Sequence, residues 1–300
     1  MEHKNKLLFN IKEDEQGLKL REYLRRNQRL SGRLIKSAAL DGRIEVNNKR
    51  AKLNYVIKSK DLVSVDICKK ETQNIDPEKM DLDVAYEDDD IIVVNKRPGM
   101  VVHPTKCYQS GTLANGLIYH FRQNGEQCIV RLVSRLDMDT SGLVIVGKNQ
   151  FSHMALARDM KGEDFEKSYI AVVHNTMIDT KGVIDLPIYK PEGMGIKRII
   201  DERGQKSITH YSVLKSLRLG DVVKLTLETG RTHQIRVHLS NIGYPIYGDT
   251  LYCEEDDSKY ITRQALHAYR LRFPHPRTGN ILEIETELPK DMQELIEEIS

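Results

Sequence analysis

The sequence predicts an α+β protein in which a small N-terminal α/β domain precedes a domain built on a large, mainly antiparallel mixed sheet. Strand patterns dominate from residue 81 onward, and the few helical patterns among them show neither regular βα alternation nor an internal repeat. The N-terminal part differs, because it begins with two short amphipathic helical patterns and continues into short strands and turns. A polar linker joins the two parts.

The predicted N-terminal helices lie within residues 18–40, and Ser31 is placed to cap the second of them. A DGR turn, a short IEV strand, an NN turn and the closing strand KSKDLVSVDI follow. The apolar faces of the helices consist of Leu18, Leu20, Leu24, Leu30, Leu34, Ile35 and Leu40. The polar faces are crowded by Arg21, Arg25, Arg26, Arg29, Arg33 and Lys36.

Charge is distributed unevenly along the chain. The 300 residues carry a formal net charge of +2, but residues 1–72 contain 18 Lys and Arg against 10 Asp and Glu, a surplus of +8 that leaves −6 for the remainder. Such a segregated basic region favours a polyanion-binding module, because Lys and Arg bind nucleic acids by neutralising phosphates. Charge alone leaves a second interpretation open, namely a basic surface that is merely solvated.

Composition excludes several classes of protein. Hydrophobic residues make up 39% of the chain and charged residues 30%, which argues against a disordered tail, and runs such as IIVV are too short to span a bilayer. The N-terminal segment contains acids and no apolar core, so we expect no signal peptide and a cytoplasmic protein without membrane contact. The cysteines form no CxxC pair, which disfavours a zinc knuckle and a disulfide framework. They are Cys68, Cys107, Cys128 and Cys253.

The polar segment ETQNIDPEKM has the composition of a linker and divides the chain. It gives an N-terminal domain with its linker at residues 1–75 and a second domain at residues 81–300. Strands are predicted in the second domain at VAYEDD, DIIVVNK, LVIVGKN, KSYIAVV, DVVKLTLET and NILEIETEL. Helices are predicted at TLANGLIYHF, with Thr112 as its N-cap, at FSHMALARDMK and at PKDMQELIEEI.

The stretch RLDMDTSGLVIV, residues 135–146, sets two carboxylates one residue apart before a glycine and a strand. DxDxSG is how an EF-hand calcium loop begins, but Lys148 occupies the position that requires a bidentate Glu, and a cation there repels calcium. An aspartyl-phosphate phosphatase also uses DxD, with its first Asp as the nucleophile. That alternative expects magnesium, a further acid cluster and alternating β and α elements, none of which the sequence indicates.

The stretch LETGRTHQIRVHLSNIG predicts a strand that ends at Gly230 and a helix capped by Thr232. Backbone donors and cations in residues 231–236 would then converge on an anion. Two histidines lie five residues apart, a spacing that does not stack two ligands on one helical face, so we predict no metal site. Arg236 stands among apolar residues, which favours a partly buried arginine paired with an acid.

Five segments together resemble the RNA pseudouridine synthases of the RluA family, a large bacterial family that modifies ribosomal and transfer RNA. In order they are NKRPGMVVHP, SRLDMDTSGLVIVGKN, EKSYIAV, LETGRTHQIRVHL with IGYPIYGD, and QALHAYRLRFPHP, and the resemblance covers nearly all of residues 83–289. Ser134 stands where the family usually has His, and Arg97 stands where Pro is common. Both departures concern the choice of target more than the activity.

Residues 15–68 resemble the S4-like RNA-binding module that a ribosomal small-subunit protein shares with several RNA-modifying enzymes. Many members of the family carry such a module, so the resemblance favours RNA binding by the basic N-terminal domain. A plain helical cap on the larger domain is the alternative. Neither interpretation indicates an oligomer, and we expect a monomer.

The resemblance implies an isomerase that converts specific uridines of structured RNA into pseudouridine. The reaction cuts the bond from ribose to the base nitrogen, rotates the uracil and rejoins it through carbon, which needs a carboxylate and a shaped pocket but no metal, nucleotide or redox cofactor. We therefore expect no cofactor and an RNA partner, with ribosomal large-subunit RNA favoured over transfer RNA. A non-catalytic RNA-binding factor for ribosome assembly is the alternative.

By this match Asp137 is the essential carboxylate, while the Asp139 side chain supports the loop by bonding turn amides. Arg236 pairs with Asp137 and keeps it ionised when RNA closes over the site. The resemblance also places Tyr169 against the uracil and Arg135 in the gap left when the nucleotide flips out of its stack. An inward-facing strand aromatic is the alternative for Tyr169, and a phosphate contact is the alternative for Arg135. We expect a structural role in the pocket wall for His103 and Lys167.

Overall fold

The computed structural model describes residues 5–67 and 73–300, so Cys68 and the first two residues of the predicted linker lie outside the described residues. The N-terminal strands are β1 (Lys6–Asn10), β2 (Ile44–Val46), β3 (Lys49–Arg50) and β4 (Leu62–Asp66). The helices are α1 (Leu20–Arg26) and α2 (Gly32–Leu40), and a 3-10 turn at Glu13–Glu15 precedes them. The strands form an antiparallel sheet in the order β1-β4-β2-β3.

Both predicted N-terminal helices are confirmed. The Ser31 hydroxyl accepts a hydrogen bond from the backbone N–H of Leu34 at 3.1 Å, which is the expected N-cap contact. The prediction that Leu40 belongs to an apolar face is wrong, because α2 ends there and leaves the residue 78% exposed. The basic residues of the predicted polar faces are all exposed, so the helix pair presents a cationic surface to solvent.

The larger part of the chain contains ten strands in one sheet and a separate two-stranded hairpin. The sheet strands are β5 (Asp83–Glu87), β6 (Ile91–Lys96), β7 (Arg131–Leu132), β8 (Ser141–Gly147), β9 (Glu166–His174), β10 (Lys181–Asp185), β13 (Ile208–Ser216), β14 (Gly220–Leu227), β15 (Leu266–Pro274) and β16 (Ile281–Glu285). The hairpin consists of β11 (Ile188–Tyr189) and β12 (Ile199–Ile200). The helices are α3 (Leu113–Gln123), α4 (Gln150–Asp159), α5 (Gln234–Asn241) and α6 (Lys290–Glu298).

The sheet runs in the order β10-β13-β14-β9-β15-β8-β6-β5, with β16 paired to β15 and β7 paired to β8. Among the described residues, β15 and β8 form the only parallel pair, so the predicted mainly antiparallel mixed sheet is confirmed. This pair brings the start of β8, which directly follows the two-carboxylate loop, against the middle of the sheet. His267 and Ala268 are the partners of Ser141 and Gly142 there.

Strands β6 and β8 are apolar at successive positions because both faces of the sheet are covered at this point. One side packs with α3 through Ile92, Val94, Val144 and Val146. The other side packs with α4 and two phenylalanines through Ile91, Val93, Leu143 and Ile145. The runs IIVV and LVIV therefore follow from double burial, and they hold the loop before β8 on a rigid base.

The N-terminal part contacts α4 and the loop after β15. Phe151 of α4 packs against the N-terminal core, and the Ser31 hydroxyl lies 3.1 Å from the sulfur of Met154. Arg277 donates to the backbone carbonyl of Lys6 at 3.1 Å while its guanidinium pairs with Asp90. Among the helices in the described ranges, none combines the length and apolar composition that a bilayer crossing requires.

Candidate active site

The two-carboxylate stretch forms a loop between β7 and β8. The backbone N–H of Thr140 donates to the carbonyl of Asp137 at 3.2 Å, which closes a tight turn, and Thr140 itself is buried. The Asp137 side chain keeps 27% of its surface exposed and faces a cavity. Its carboxylate is therefore accessible while its backbone is fixed by the sheet behind it.

Arg236 reaches this carboxylate from the first turns of α5. Its Nη1 donates to Oδ2 of Asp137 at 3.2 Å, so the predicted pairing of the two residues is present in the structure. The residue is only 7% exposed. Burial would lower the pKa of the guanidinium, but Asp249 and Asp137 outweigh it and raise that pKa above its ordinary value. Arg236 is therefore a permanent cation beside Asp137.

Asp249 is the stronger partner of this arginine, and sequence reasoning assigned it no role. Nε and Nη2 of Arg236 donate to its two carboxylate oxygens, both at 2.7 Å, in a bidentate pair that is fully buried on the Asp249 side. The guanidinium also lies over the ring of Tyr252, 5.2 Å from the centroid. Asp249 is the last residue of the IGYPIYGD segment, which contributed to the family resemblance. Nothing in that segment indicated that this acid would be buried.

The start of α5 differs from the prediction. Thr232 does not cap the helix; His233 holds the N-cap position in the left-handed region (φ 59°) without a side-chain cap. This conformation sends the imidazole toward the site, where Nε2 lies 3.9 Å from Oδ2 of Asp137 and Nδ1 lies 2.9 Å from the hydroxyl of Tyr252. Burial and two nearby arginines lower the pKa of His233 against the opposing effect of Asp137. His233 is thus kept neutral near pH 7.

The second histidine of this segment is structural. His238 is buried, and its two ring nitrogens contact the hydroxyl of Thr209 (2.9 Å) and the carbonyl of Leu186 (3.0 Å). Burial lowers its pKa. Because both nitrogens are engaged, His238 offers no free atom for a metal.

Tyr169 projects from β9 into the same cavity as Asp137. The residue is almost fully buried, and burial together with the charge of Asp137 raises the pKa of its phenol well above the ordinary value. The hydroxyl therefore stays protonated at any physiological pH, and the ring forms one wall of the cavity. The structure thus brings Tyr169, Asp137 and Arg236 together.

Three adjoining cavities share lining residues at this site. The inner one, about 60 Å³, is lined by Asp137, Tyr169 and Arg236, and an outer one of about 510 Å³ extends from it past Lys167 and Gly230. A third, also about 510 Å³, lies toward the β11 and β12 hairpin. The exposed Arg135 lines all three, so it stands where the cavities meet.

Comparison with known proteins decides the family. The sequence profile of the RNA pseudouridylate synthase family matches residues 90–241, which include the carboxylate loop, β9 and α5. The chain belongs to this family. Its enzyme class, an isomerase that forms pseudouridine in RNA, follows from the membership and was predicted from the motifs.

Relatives cover most of the chain. It is 42% identical to the uncharacterised RNA pseudouridine synthase YlyB of Bacillus subtilis over 86% of both chains. It is 39% identical to ribosomal large subunit pseudouridine synthase D of Buchnera aphidicola (subsp. Acyrthosiphon pisum), covering 73% of this chain and 74% of that one. The solved structure of human RNA pseudouridylate synthase domain containing 1 matches with a TM-score of 0.58 and 28% identity, covering 71% of this chain and 86% of that one.

Lys96 fixes the carboxylate loop of this synthase, and sequence reasoning missed it. The residue is 1% exposed, and its ammonium donates to the backbone carbonyls of Met138 (2.8 Å), Arg97 (2.9 Å) and Met100 (2.9 Å). Burial lowers the pKa of Lys96 to about 7, against the attraction of Asp139. Because Met138 lies between the two acids, Lys96 ties β6 to the centre of the loop.

The other end of the loop is held from the segment before β15. Nη1 of Arg263 donates to the backbone carbonyl of Asp139 at 3.1 Å, and the Gln264 amide donates to the hydroxyl of Thr140 at 3.1 Å. The expectation that the Asp139 carboxylate bonds turn amides is wrong: across residues 5–67 and 73–300 it accepts no hydrogen bond. Asp139 contributes its backbone carbonyl to the loop and its charge to Lys96.

Proposed function

We propose that this synthase isomerises uridines of large-subunit ribosomal RNA and that Asp137 is the carboxylate that acts on the nucleoside. The observation that carries the assignment is the position of Asp137, whose accessible carboxylate faces the inner cavity beside a permanent cation. The ribosomal target is supported by relatives named ribosomal large subunit pseudouridine synthase D in several bacteria.

In this proposal Arg236 positions Asp137 and stabilises its negative charge. Nε and Nη2 of the guanidinium both donate to Asp249, which leaves Nη1 to face Asp137 in a fixed direction. When RNA covers the cavity and excludes water, the cation offsets the cost of desolvating the Asp137 carboxylate. Asp249 thereby acts on Asp137 through Arg236 without reaching the cavity itself.

Tyr169 and Arg135 complete the proposed site. The buried, protonated phenol of Tyr169 supplies a flat wall against which the uracil can stack and rotate after its bond to ribose is cut. A target nucleotide must leave its stack before its anomeric carbon can reach Asp137. Arg135 is exposed at the junction of the cavities, and we assign it to the gap that the flipped nucleotide leaves in the RNA.

We further propose that the N-terminal domain, residues 1–75 with its linker, binds RNA in the manner of an S4-like module. Its support is the cationic surface of the two helices, whose basic side chains are exposed over a shared apolar core. We expect the protein to work as a monomer in the cytoplasm.

The test is to map pseudouridines across total RNA from cells with the gene, without it, and without it but carrying a copy that encodes Asp137→Asn. We expect one or more pseudouridines of large-subunit ribosomal RNA to vanish on deletion, to return with the wild-type gene and to stay absent with Asp137→Asn. If the pseudouridines that vanish on deletion lie only in transfer RNA, transfer RNA replaces large-subunit ribosomal RNA as the proposed target. Restoration by Asp137→Asn would overturn the assignment of the carboxylate.

A further inference from the structure

Lys167 is a buried cation that has no partner in the described part of the chain. Its residue is 8% exposed, and its ammonium makes no hydrogen bond or ion pair within residues 5–67 and 73–300. Burial lowers the pKa of this lysine, and no opposing group raises it. An ammonium taken out of water without a partner is costly, so its retention calls for a reason.

The other buried lysines show how unusual this is. Lys96 donates to three backbone carbonyls. Lys148 forms ion pairs with Glu87 at 2.9 Å and Glu126 at 2.7 Å. Of the lysines classed as buried in the described ranges, only Lys167 is left without compensation. Its partner is therefore to be sought outside the protein.

Lys167 stands two residues before Tyr169 on β9, so the two side chains leave the same face of the strand, and both line the outer cavity. Arg135 and Arg231 line this cavity as well, whereas Asp137 is the only acid among its lining residues in the described ranges. Since Asp137 is already paired with Arg236, the outer cavity carries an excess of positive charge. A neutral ligand would leave that excess uncompensated, while an anion would neutralise it.

Gly230 borders the ammonium in the wall of the outer cavity. A Cβ at this position would lie 3.5 Å from Nζ of Lys167 and would occupy the space directly beside it. The backbone of Gly230 does not adopt a positive φ, so the turn itself does not require glycine. In addition, Nδ1 of His103, another residue lining the outer cavity, is buried and has no partner in the described part of the chain.

We propose that Lys167 binds a phosphodiester of the RNA backbone that flanks the target uridine, in a subsite formed with Gly230 and Arg231. An RNA phosphate supplies the missing negative charge, and Lys is suited to it as a compact point charge. The inference rests on the proposed function, because it takes Asp137 as the position of the target uridine. Lys167 is then a substrate-binding residue, in contrast to the structural role that the sequence suggested.

Salt-dependent binding tests this subsite without requiring turnover. The full-length protein, Lys167→Met and Lys167→Arg are titrated with a stem-loop RNA that contains the uridine mapped for the wild type, at several salt concentrations. Each lost phosphate contact should reduce the slope of log affinity against log salt by roughly 0.7 to 0.9. We expect that reduction and about tenfold to a hundredfold weaker binding for Lys167→Met, with partial recovery in Lys167→Arg.

Lys224→Met is the matched control. Lys224 lies on the neighbouring strand β14, where it is part-exposed 3.8 Å from Glu166 and does not line the outer cavity. Lys224→Met should therefore leave the slope of log affinity against log salt unchanged. Gly230→Ala adds a second test, because a methyl group beside Nζ should weaken RNA binding while the thermal unfolding of the protein is unaffected.

A neutral methylphosphonate placed at each linkage around the target uridine identifies the contact. One linkage should weaken binding by the wild type and have no effect with Lys167→Met, since the charge it would have met is gone. Equal losses for both proteins at every linkage, or an unchanged salt slope in Lys167→Met, would overturn the subsite. If the mapped uridine lies in transfer RNA, the same comparison of wild type and Lys167→Met is made with a stem-loop from that transfer RNA. The ribosomal target can therefore be wrong while the phosphate subsite is still tested.

Discussion

The guanidinium of Arg236 contacts Asp137 through a single nitrogen, Nη1, at 3.2 Å. Its other donors form the bidentate pair with Asp249, which is closer and fully buried. The arginine is therefore anchored by one acid and presented to the other. The two acids therefore differ in position, because Asp249 anchors the guanidinium in the interior while Asp137 keeps an accessible carboxylate in the cavity.

Asp137→Asn should abolish pseudouridine formation and leave the fold nearly unchanged. The amide keeps the size of the side chain and removes its charge, and the buried guanidinium of Arg236 keeps its bidentate pair with Asp249. Single-turnover assays with saturating RNA measure the rate, and thermal unfolding measures stability. Asp139→Asn is the control and should retain more activity. Substantial turnover by Asp137→Asn would exclude it as the essential carboxylate.

Asp249→Asn should lower stability and activity together. Removing the charge leaves the buried guanidinium of Arg236 poorly compensated, and breaking such a pair costs about 3 to 5 kcal/mol in free energy of unfolding. Glu294→Gln is the control, since Glu294 pairs with Lys290 at the surface, where the two side chains are 63% and 88% exposed, so its loss should cost about 0.5 kcal/mol or less. Urea unfolding at fixed pH compares them. Similar costs for the two variants would contradict the anchoring role of Asp249.

The elements that sequence patterns predicted well are those whose signal is local. Double burial makes β6 and β8 continuous apolar runs, and the N-cap of α2 depends on one hydroxyl three residues from its partner. Strands β13 and β15 were missed because they mix polar and apolar residues without strict alternation. Their strand character comes from pairing with β14 and β9, which is a tertiary effect.

The residues of the candidate site also include some that the sequence predicted and some that it did not. Resemblance of motifs pointed to Asp137, Arg236 and Tyr169, and the structure brings these three around one cavity. The supports of the site were not predictable, because Lys96 and Asp249 are charged residues, and charged side chains normally lie at the surface. Their burial depends on partners far away along the chain, such as the carbonyl of Met138 for Lys96.

Lys96 should make the stability of this enzyme increase with pH above neutrality. Burial lowers its pKa to about 7 from an ordinary 10.5, so between these values the unfolded chain binds more protons than the folded one, and the free energy of unfolding rises as pH rises. Urea unfolding of wild type and Lys96→Met at pH 7 and pH 10 isolates the effect, since other groups titrate in both. Between pH 7 and pH 10, the free energy of unfolding of the wild type should rise relative to that of Lys96→Met. Parallel pH profiles would show that Lys96 stays charged when folded.

Gly142→Ala should disrupt the base of the carboxylate loop. Gly142 has φ +112°, and a Cβ there would lie 2.3 Å from the backbone carbonyl oxygen of Ala268, across the parallel β8 and β15 pair. We expect a loss of at least about 2 kcal/mol in free energy of unfolding and a large loss of activity. Gly125→Ala is the control, because Gly125 also has positive φ (+71°) but open space around it. Equal effects of the two substitutions would refute the crowding at Gly142.

The exposed basic face of the N-terminal helices should contribute to RNA affinity through phosphate neutralisation. Replacing Arg25, Arg26, Arg29 and Arg33 with Gln removes four charges and leaves the buried core of the helix pair untouched. Each phosphate contact that is lost should reduce the slope of log affinity against log salt by roughly 0.7 to 0.9, and affinity at low salt should fall most. Replacing the exposed Lys181, Lys215, Arg218 and Lys290 with Gln instead removes the same charge from positions that line none of the three site cavities. If both sets of substitutions flatten the slope equally, net charge rather than a dedicated N-terminal surface attracts the RNA.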